Sequence, residues 1–403
     1  VASESATVLL GITEAKDAAV LDNLQPSPKP QATPFGKPGV IFDGTEGEAT
    51  TPYLASDKDF TDFLIEAGYD PDHYEVIGNP RTSKWQQREG GDWLTSYRFT
   101  FRIKTNTVDL PLLYSEAKKT RPKMYKPASG ENALIVVWSD TQTGKAGDIR
   151  GGTKELIQRI AEKQELLEQH LKKNSYAQIL FYNTGDTIEG FESGGNPMRA
   201  NDLSLMEQVD LEATFEWEML RMLTKYAPVR AASVGSNHCA WRQGKLKLGT
   251  AHDDWGIHIQ RRLAYLAKEV GYTPEQLSFY EPQPNDESVA LDVFGDGSFI
   301  AGLVHGHQAG GRPEQVAQWW RGQSHGEQAC KDADLLIHGH WHHVRITETG
   351  RRNGKSRWLV MAPTLDAGSS WFRQTSGEDS DPGLLIIPII KGDYPFSGTV
   401  IKL

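Results

Sequence analysis

Apolar positions along the chain follow two rhythms, and the change between them falls near residue 130. Before it, the clearest signal is an alternation over 94–104, where Tyr97, Phe99, Phe101 and Ile103 are apolar and Arg98, Thr100, Arg102 and Lys104 polar. A period of two predicts a strand with one buried face. Its basic outer face fits either a nucleic-acid-facing sheet or a solvated polar face. Ser56 and Asp57 cap a predicted short helix carrying Phe60, Phe63, Leu64 and Ile65, which Gly68 ends. A further short helix is predicted within 4–22. The stretch from Pro26 to Pro52, rich in Pro, Gly, Thr and Gln, reads as a linker or covering segment. With the basic run Lys118–Lys123 closing it, residues 1–130 form a predicted small α+β region of unassigned role.

After residue 131 short apolar runs alternate with longer amphipathic stretches. Ala133–Trp138, Ile179–Tyr182 and Val229–Val234 read as buried strands, and 152–173, 202–226 and 253–269 as helices. In the first helix Leu156, Ile160, Leu167 and Leu171 fall near one stripe. Ser288–His305 reads as a hairpin turning at Gly295-Asp296-Gly297. A helix near 312–332 follows, then a strand into the segment Asp334–His343, then strands at Arg357–Met361, Leu384–Ile390 and Thr399–Leu403. The pattern predicts an α/β domain over 131–403, a two-layered β core covered by helices.

Composition narrows the class. Hydrophobic residues make up 38% and charged residues 24%, as in a soluble globular protein. The longest apolar run, 384–390, is strand-sized and holds Pro388, short of the ~18 residues of a membrane span. No basic-then-apolar leader opens the sequence. Two cysteines, Cys239 and Cys330, exclude a disulfide framework and a Cys-rich zinc site, which points to a reducing, cytoplasmic setting. A net charge of −10 argues against non-specific coating of nucleic acid, though not against an enzyme that handles a phosphate in one basic cleft.

Candidate chemistry collects at strand ends. His338, His340, His342 and His343 crowd around Gly339, and imidazole is the commonest metal ligand. Gly339 would let the backbone turn tightly, and in an extended His-x-His the side chains of His340 and His342 would point the same way. A histidine-rich surface loop is the plain alternative. Each preceding strand, however, also ends in a polar cluster: Ser139–Lys145, Gly185–Gly190, Gly235–His238 and Val304–His307. Open α/β sheets gather ligands at the carboxyl ends of their strands.

These blocks resemble those of the calcineurin-like metallophosphoesterase superfamily, which run Asp-x-His, Gly-Asp-x-x, Gly-Asn-His, His and Gly-His-x-His. The resemblance spans about residues 131–370. It is closer to metallophosphoesterases encoded by actinobacterial phages, grouped loosely with Mre11-type nucleases, through Asp140–Lys145, Ser236–Arg242 and Val304–Gly311. It implies a β-sandwich flanked by helices (αββα), and two metals bridged by Asp186. One would take Asp140, Gln142 and His342, the other Asn237, His305 and His340. Oxygen and imidazole donors without thiolate suit Mn²⁺, Fe or Zn²⁺. Two such cations would hold a bridging hydroxide and a phosphoryl oxygen for in-line attack. His238 resembles the family's histidine that stabilises the transition state or protonates the leaving group. Two departures stand out: Gln142 replaces a histidine, and Ser236 interrupts Gly-Asn-His.

Lys145 and Arg242 are candidate substrate cations beside these blocks. His307 reads as support for a ligand, and His338 and His343 as structural or as further supports. Glu189 reads as a solvated loop acid or, as the lesser alternative, a carboxylate supporting a ligand, and Cys239 as a weak candidate nucleophile. The function expected is a metal-dependent phosphodiesterase acting on nucleic acid or a nucleotide, in the host cytoplasm if phage-encoded. A phosphomonoesterase or cyclic-nucleotide phosphodiesterase is the alternative within enzymes. A non-catalytic binding or scaffold protein with a weakened metal site is the alternative outside them.

Overall fold

The computed structural model describes residues 39–42, 46–51, most of 62–103, 131–146, 150–190, 201–243, 246–368, 377, 381–392 and 400–403. The helix expected within 4–22 and the basic run 118–123 lie outside the described residues, as do Ser56, Asp57, Phe60 and Phe63. The chain divides into two compact units, one within Thr7–Thr107 and the other holding all described residues from 131 onward.

The smaller unit is an antiparallel sheet of β1 (Gly39–Phe42), β2 (Glu46–Thr51), β3 (Tyr74–Gln86) and β4 (Trp93–Ile103), in the order β1-β2-β4-β3. The alternation read in β4 holds, because Phe99 and Phe101 are buried against Ala49 and Leu64. On its other face Arg102 pairs with Glu75 at 2.8 Å and Arg98 with Glu48 at 3.8 Å. Those basic residues are spent on neighbouring strands, as a solvated face requires.

The larger unit runs β5 (Asn132–Trp138), α1 (Thr153–Lys173), β6 (Gln178–Asn183), α2 (Leu205–Leu223), β7 (Val229–Ser233), a two-stranded ribbon β8 (Arg242–Gln243) and β9 (Leu246–Lys247), α3 (Trp255–Glu269), β10 (Leu277–Tyr280), β11 (Ser288–Asp292), β12 (Ile300–Val304), α4 (Gln315–His325), β13 (Leu335–His338), β14 (Arg345–Arg352), β15 (Lys355–Met361), β16 (Leu385–Ile390) and β17 (Ile401–Lys402). Two mixed sheets result, ordered β10-β7-β6-β5-β16-β17 and β11-β12-β13-β15-β14.

Alternation along each strand explains the layering. Leu134, Val136 and Trp138 of β5 join Leu156, Ile160, Leu211, Phe215 and Leu263 of the helices in one apolar cluster. Ala133, Ile135 and Val137 of the same strand join Ala301 and Leu303 of β12 and Leu335 and Ile337 of β13 in a second. The two sheets therefore share one apolar layer. Helices α1, α2 and α3 cover the far side of the first sheet, and α4 covers the second through Val316 and Trp320. The stripe read in α1 is the buried one: Leu156, Ile160, Leu167 and Leu171. No helix among the described residues is long and apolar enough to cross a membrane.

Within the sheets β5, β6 and β7 are parallel neighbours, and so are β12 and β13. Their carboxyl ends point to one edge, and the polar clusters leave from there.

Candidate metal centre

Five of the expected ligands stand in left-handed backbone conformations. Asp140, Gln142, Asp186, His340 and His342 have φ of 48°, 43°, 49°, 71° and 61°. A non-glycine residue held there costs about 1–3 kcal/mol, so the surrounding contacts must fix each one. The loop after β13 is accordingly not extended. The strand stops at His338, and His340 and His342 serve neighbouring points instead of sharing one direction. The nitrogen of His340 lies within 4.8 Å of ligand atoms on both Asp186 and His305, while His342 Nε2 lies 3.4 Å from Asp140 Oδ1.

Gly339 has a different use from the turn expected of it. A Cβ there would lie 2.1 Å from Asp140 Oδ2 and 2.5 Å from Thr184 Oγ1, so the residue is glycine for space. Asp140 is held on all sides: it accepts from the His340 N–H, from the Ser139 hydroxyl and from Thr184 Oγ1. Gly185, with φ of 98°, lets the chain turn into Asp186, whose N–H donates to Ser236 Oγ at 2.8 Å. Ser236 is therefore a support of the site: its own N–H donates to Asp254 Oδ2, and Asp254 also caps α3 by accepting from the Ile257 N–H.

The geometry around His305 tests whether these residues fit a metal. Its Nδ1 lies 2.8 Å from the Thr184 carbonyl oxygen, which can only accept, so Nδ1 carries the hydrogen. Its Nε2 then faces Asn237 Oδ1 at 2.8 Å and Asp186 Oδ2 at 3.1 Å. In a neutral ring three lone pairs meet at that point, and a cation or a proton must sit among them. Burial disfavours a charged His305, yet the Asp186 carboxylate overrides it and raises the imidazole's affinity for a positive charge. Burial likewise works against an ionised Asp186, but His305 and His238 hold it well below the usual carboxylate range. Burial drives His340 down to about 3, which leaves a neutral ring with a lone pair to give. Imidazole, carboxylate and amide oxygen converging in a buried corner fit a divalent ion.

His238 sits beside this corner. Its N–H donates to Asp186 Oδ1 at 2.8 Å, and its Nδ1 lies 2.9 Å from the Glu189 carbonyl and 3.3 Å from Glu189 Oε2. Burial opposes a charge on His238, but Asp186 and Glu189 prevail and push it up to about 10. Of the two readings of Glu189 the solvated loop acid does not hold: the residue is buried at 1% exposure with its carboxylate against His238, as the supporting alternative has it. Cys239 is buried 3.3 Å from Thr187 Oγ1, and burial pushes its thiol up, so it makes a poor nucleophile.

The remaining candidates fall around this edge. The His307 ring lies tilted with its centroid 5.3 Å from that of His305, and burial lowers it to about 2. His338 is buried within β13, and His343 Nδ1 lies 2.9 Å from the Trp341 carbonyl. Lys145 donates to Asp366 Oδ2 at 2.5 Å, to the Gly368 carbonyl at 3.0 Å and to Gln142 Oε1 at 3.2 Å. Arg242 opens the β8–β9 ribbon, with its Nε buried and lacking a partner among the described residues.

Two buried acids under the site were not legible beforehand. Glu212 of α2 accepts from Trp138 Nε1 at 2.8 Å and Thr143 Oγ1 at 2.6 Å, and Glu216 accepts from Asn183 Nδ2 at 2.8 Å. Asn183 Oδ1 in turn takes the Gly185 N–H, so these acids brace the loops that carry the expected ligands.

No family model matches the chain, and no curated protein matches it. Among solved structures, one described as "Structure of PhoD" aligns with 86% of this chain and 82% of its own, at 10% identity and a TM-score of 0.29.

Proposed function

We propose that the chain is a metal-dependent phosphoesterase of the calcineurin-like type, cleaving a phosphodiester in nucleic acid or a nucleotide. The observation that carries this reading is the meeting of His305 Nε2, Asn237 Oδ1 and Asp186 Oδ2 within 3.1 Å of the imidazole, with His340 closing the same corner. Two packed sheets with helices on both outer faces support the αββα arrangement for which such ligand blocks are known.

Asp186, Asn237, His305 and His340 would hold one divalent ion, with Asp140, His342 and the shared Asp186 holding a second. Bound there, such ions would polarise a phosphoryl oxygen and supply a nucleophilic water at neutral pH. His238, kept protonated by Asp186 and Glu189, would deliver a proton to the leaving oxygen. The β8–β9 ribbon follows His238 and sets exposed Trp241 beside Arg242 and Lys247. An aromatic face among cations suits a base next to its phosphate, which favours a nucleic-acid or nucleotide diester.

The test is hydrolysis of bis(p-nitrophenyl) phosphate and of the monoester after metal removal and Mn²⁺ return. Diester cleavage that needs the metal and disappears in Asp186→Asn supports the reading. Preference for the monoester moves it to a phosphomonoesterase, and inertness towards both with metal bound moves it to a binding protein.

A further inference from the structure

The two halves of the candidate centre are not equivalent, and the difference lies in Gln142. An amide has one acceptor atom able to hold a cation, its oxygen. Gln142 Oε1 already accepts from the Lys145 ammonium at 3.2 Å. Lys145 can only donate and makes the closer of the amide's two contacts, so the atom facing it is the oxygen; the other end of the amide, Nε2, lies 3.4 Å from His238 Nε2, which when protonated has no lone pair to accept from it. The nitrogen that faces the interior of the site cannot bind a metal.

Lys145 is not easily moved aside. Its ammonium is tied to Asp366 Oδ2 at 2.5 Å and to the Gly368 carbonyl at 3.0 Å, with both side chains largely buried at 15% and 5% exposure. Asp366 is fixed in turn: its N–H donates to Thr364 Oγ1, which donates to the Asp140 carbonyl. A cation seeking Gln142 Oε1 would face the ammonium at close range and would have to break this chain of bonds.

Among the described residues no cation is tied to the other half in this way. Asp186, His305 and His340 present ligand atoms within 4.8 Å of one another, and Asn237 Oδ1 adds a fourth.

Resting on the metal-centre reading above, we propose that the centre binds two divalent ions with unequal affinity. The Asp186–Asn237–His305–His340 position retains its ion, whereas the Asp140–His342 position, with Gln142 tied back by Lys145, takes its ion reversibly from the medium. The chain would then carry one ion when free metal is scarce and complete its centre only when metal is plentiful. Gln142 and Lys145 are positioning residues in this scheme, setting how much free metal the protein needs.

The experiment counts metal instead of following turnover. The full chain is stripped with chelator, reloaded in excess Mn²⁺ and passed into metal-free buffer. Metal per chain is read by elemental analysis, and the manganese environment by electron paramagnetic resonance. One equivalent with an uncoupled signal is expected, with a second equivalent appearing ~10–100-fold weaker on titration. Gln142→His, which restores an imidazole, is expected to retain two equivalents and to show a coupled signal. Lys145→Met, which frees Gln142 Oε1, is expected to tighten the second phase.

Two retained equivalents in the unaltered chain would overturn the inference while leaving the metal centre intact. So would a Gln142→His variant, folded by circular dichroism, that still holds one. No retained metal in the unaltered chain would instead remove the metal-centre reading itself.

Discussion

The backbone N–H of His340 donates to Asp140 Oδ1 at 3.0 Å and to Oδ2 at 3.2 Å, joining residues 200 positions apart. The contact is possible because Gly339 has no side chain where Asp140 Oδ2 needs to lie. Gly339→Ala would place a carbon 2.1 Å from that oxygen and force the two loops apart. The expected result is loss of at least ~2 kcal/mol of stability, as for other overpacked buried sites. Metal retention should fall with it. A melting curve and a metal count on one preparation check this, and a variant with unchanged values for both would show that the loops do not depend on that gap.

Asp186→Asn separates charge from hydrogen bonding. An asparagine Oδ1 can still accept the His238 N–H that Asp186 Oδ1 accepts at 2.8 Å, and the residue's own N–H still reaches Ser236 Oγ. The fold should therefore survive. The carboxylate that faces His305 Nε2 is lost, and with it the ligand proposed to be shared. Diesterase turnover is expected to fall by a factor on the order of 10³ or more, with an unchanged circular dichroism spectrum and reduced bound metal. Full turnover in a metal-depleted variant would refute the role given to the carboxylate.

How much of this was legible in the sequence depends on what kind of signal a residue leaves. The apolar runs of β5, β6 and β7 and the stripe of α1 follow from burial, which repeats along the chain and can be counted. The candidate site residues were legible as blocks because each follows such a run. Their left-handed backbones left no mark, since Asp and His are only enriched at positive φ and Gln is not, so none of Asp140, Gln142 and His340 announces it as a glycine would. Gly339 was noticed for the wrong property: it makes room for a carboxylate that arrives from 200 residues away. Glu189 looked more like a loop acid than a support because acids usually are solvated, and only the fold shows it and Glu212 enclosed. The polar strand β14 was missed although Asn353-Gly354, with φ of 50° and 80°, is a hairpin turn signal.

His238→Ala tests whether the histidine moves a proton or holds a metal. Its backbone N–H, which bonds Asp186, remains in the variant, while the imidazole held by Glu189 is removed. Turnover is expected to drop by about 10²–10⁴, the range for loss of a general acid, with metal content at the native level. A fall in metal content would reassign the residue as a ligand. A smaller loss with a substrate whose leaving group needs no proton would support the donor role.

Glu212 gives the stability of the larger unit a pH dependence that can be worked out in sign. Burial pushes its carboxyl up to about 7 from an ordinary value of 4.5, and the neighbouring acid Glu216 is raised well above its own ordinary value by burial and by Glu212. Between 4.5 and about 7 the unfolded chain has lost the Glu212 proton while the folded chain keeps it. The folded state thus binds more protons, and stability falls as pH rises through that window. The contribution is fully present below 4.5 and lost above about 7, and a shift of this size corresponds to a few kcal/mol. Glutamine imitates the protonated acid: its oxygen can accept from Trp138 Nε1 and its amide can donate to Thr143 Oγ1. Glu212→Gln should therefore melt close to the unaltered chain at pH 5 and several degrees higher at pH 8, with a flatter profile between. Thermal melts across that range decide it, and a variant less stable at pH 8 than the unaltered chain would mean that Glu212 is ionised and needed as a charge beneath the site.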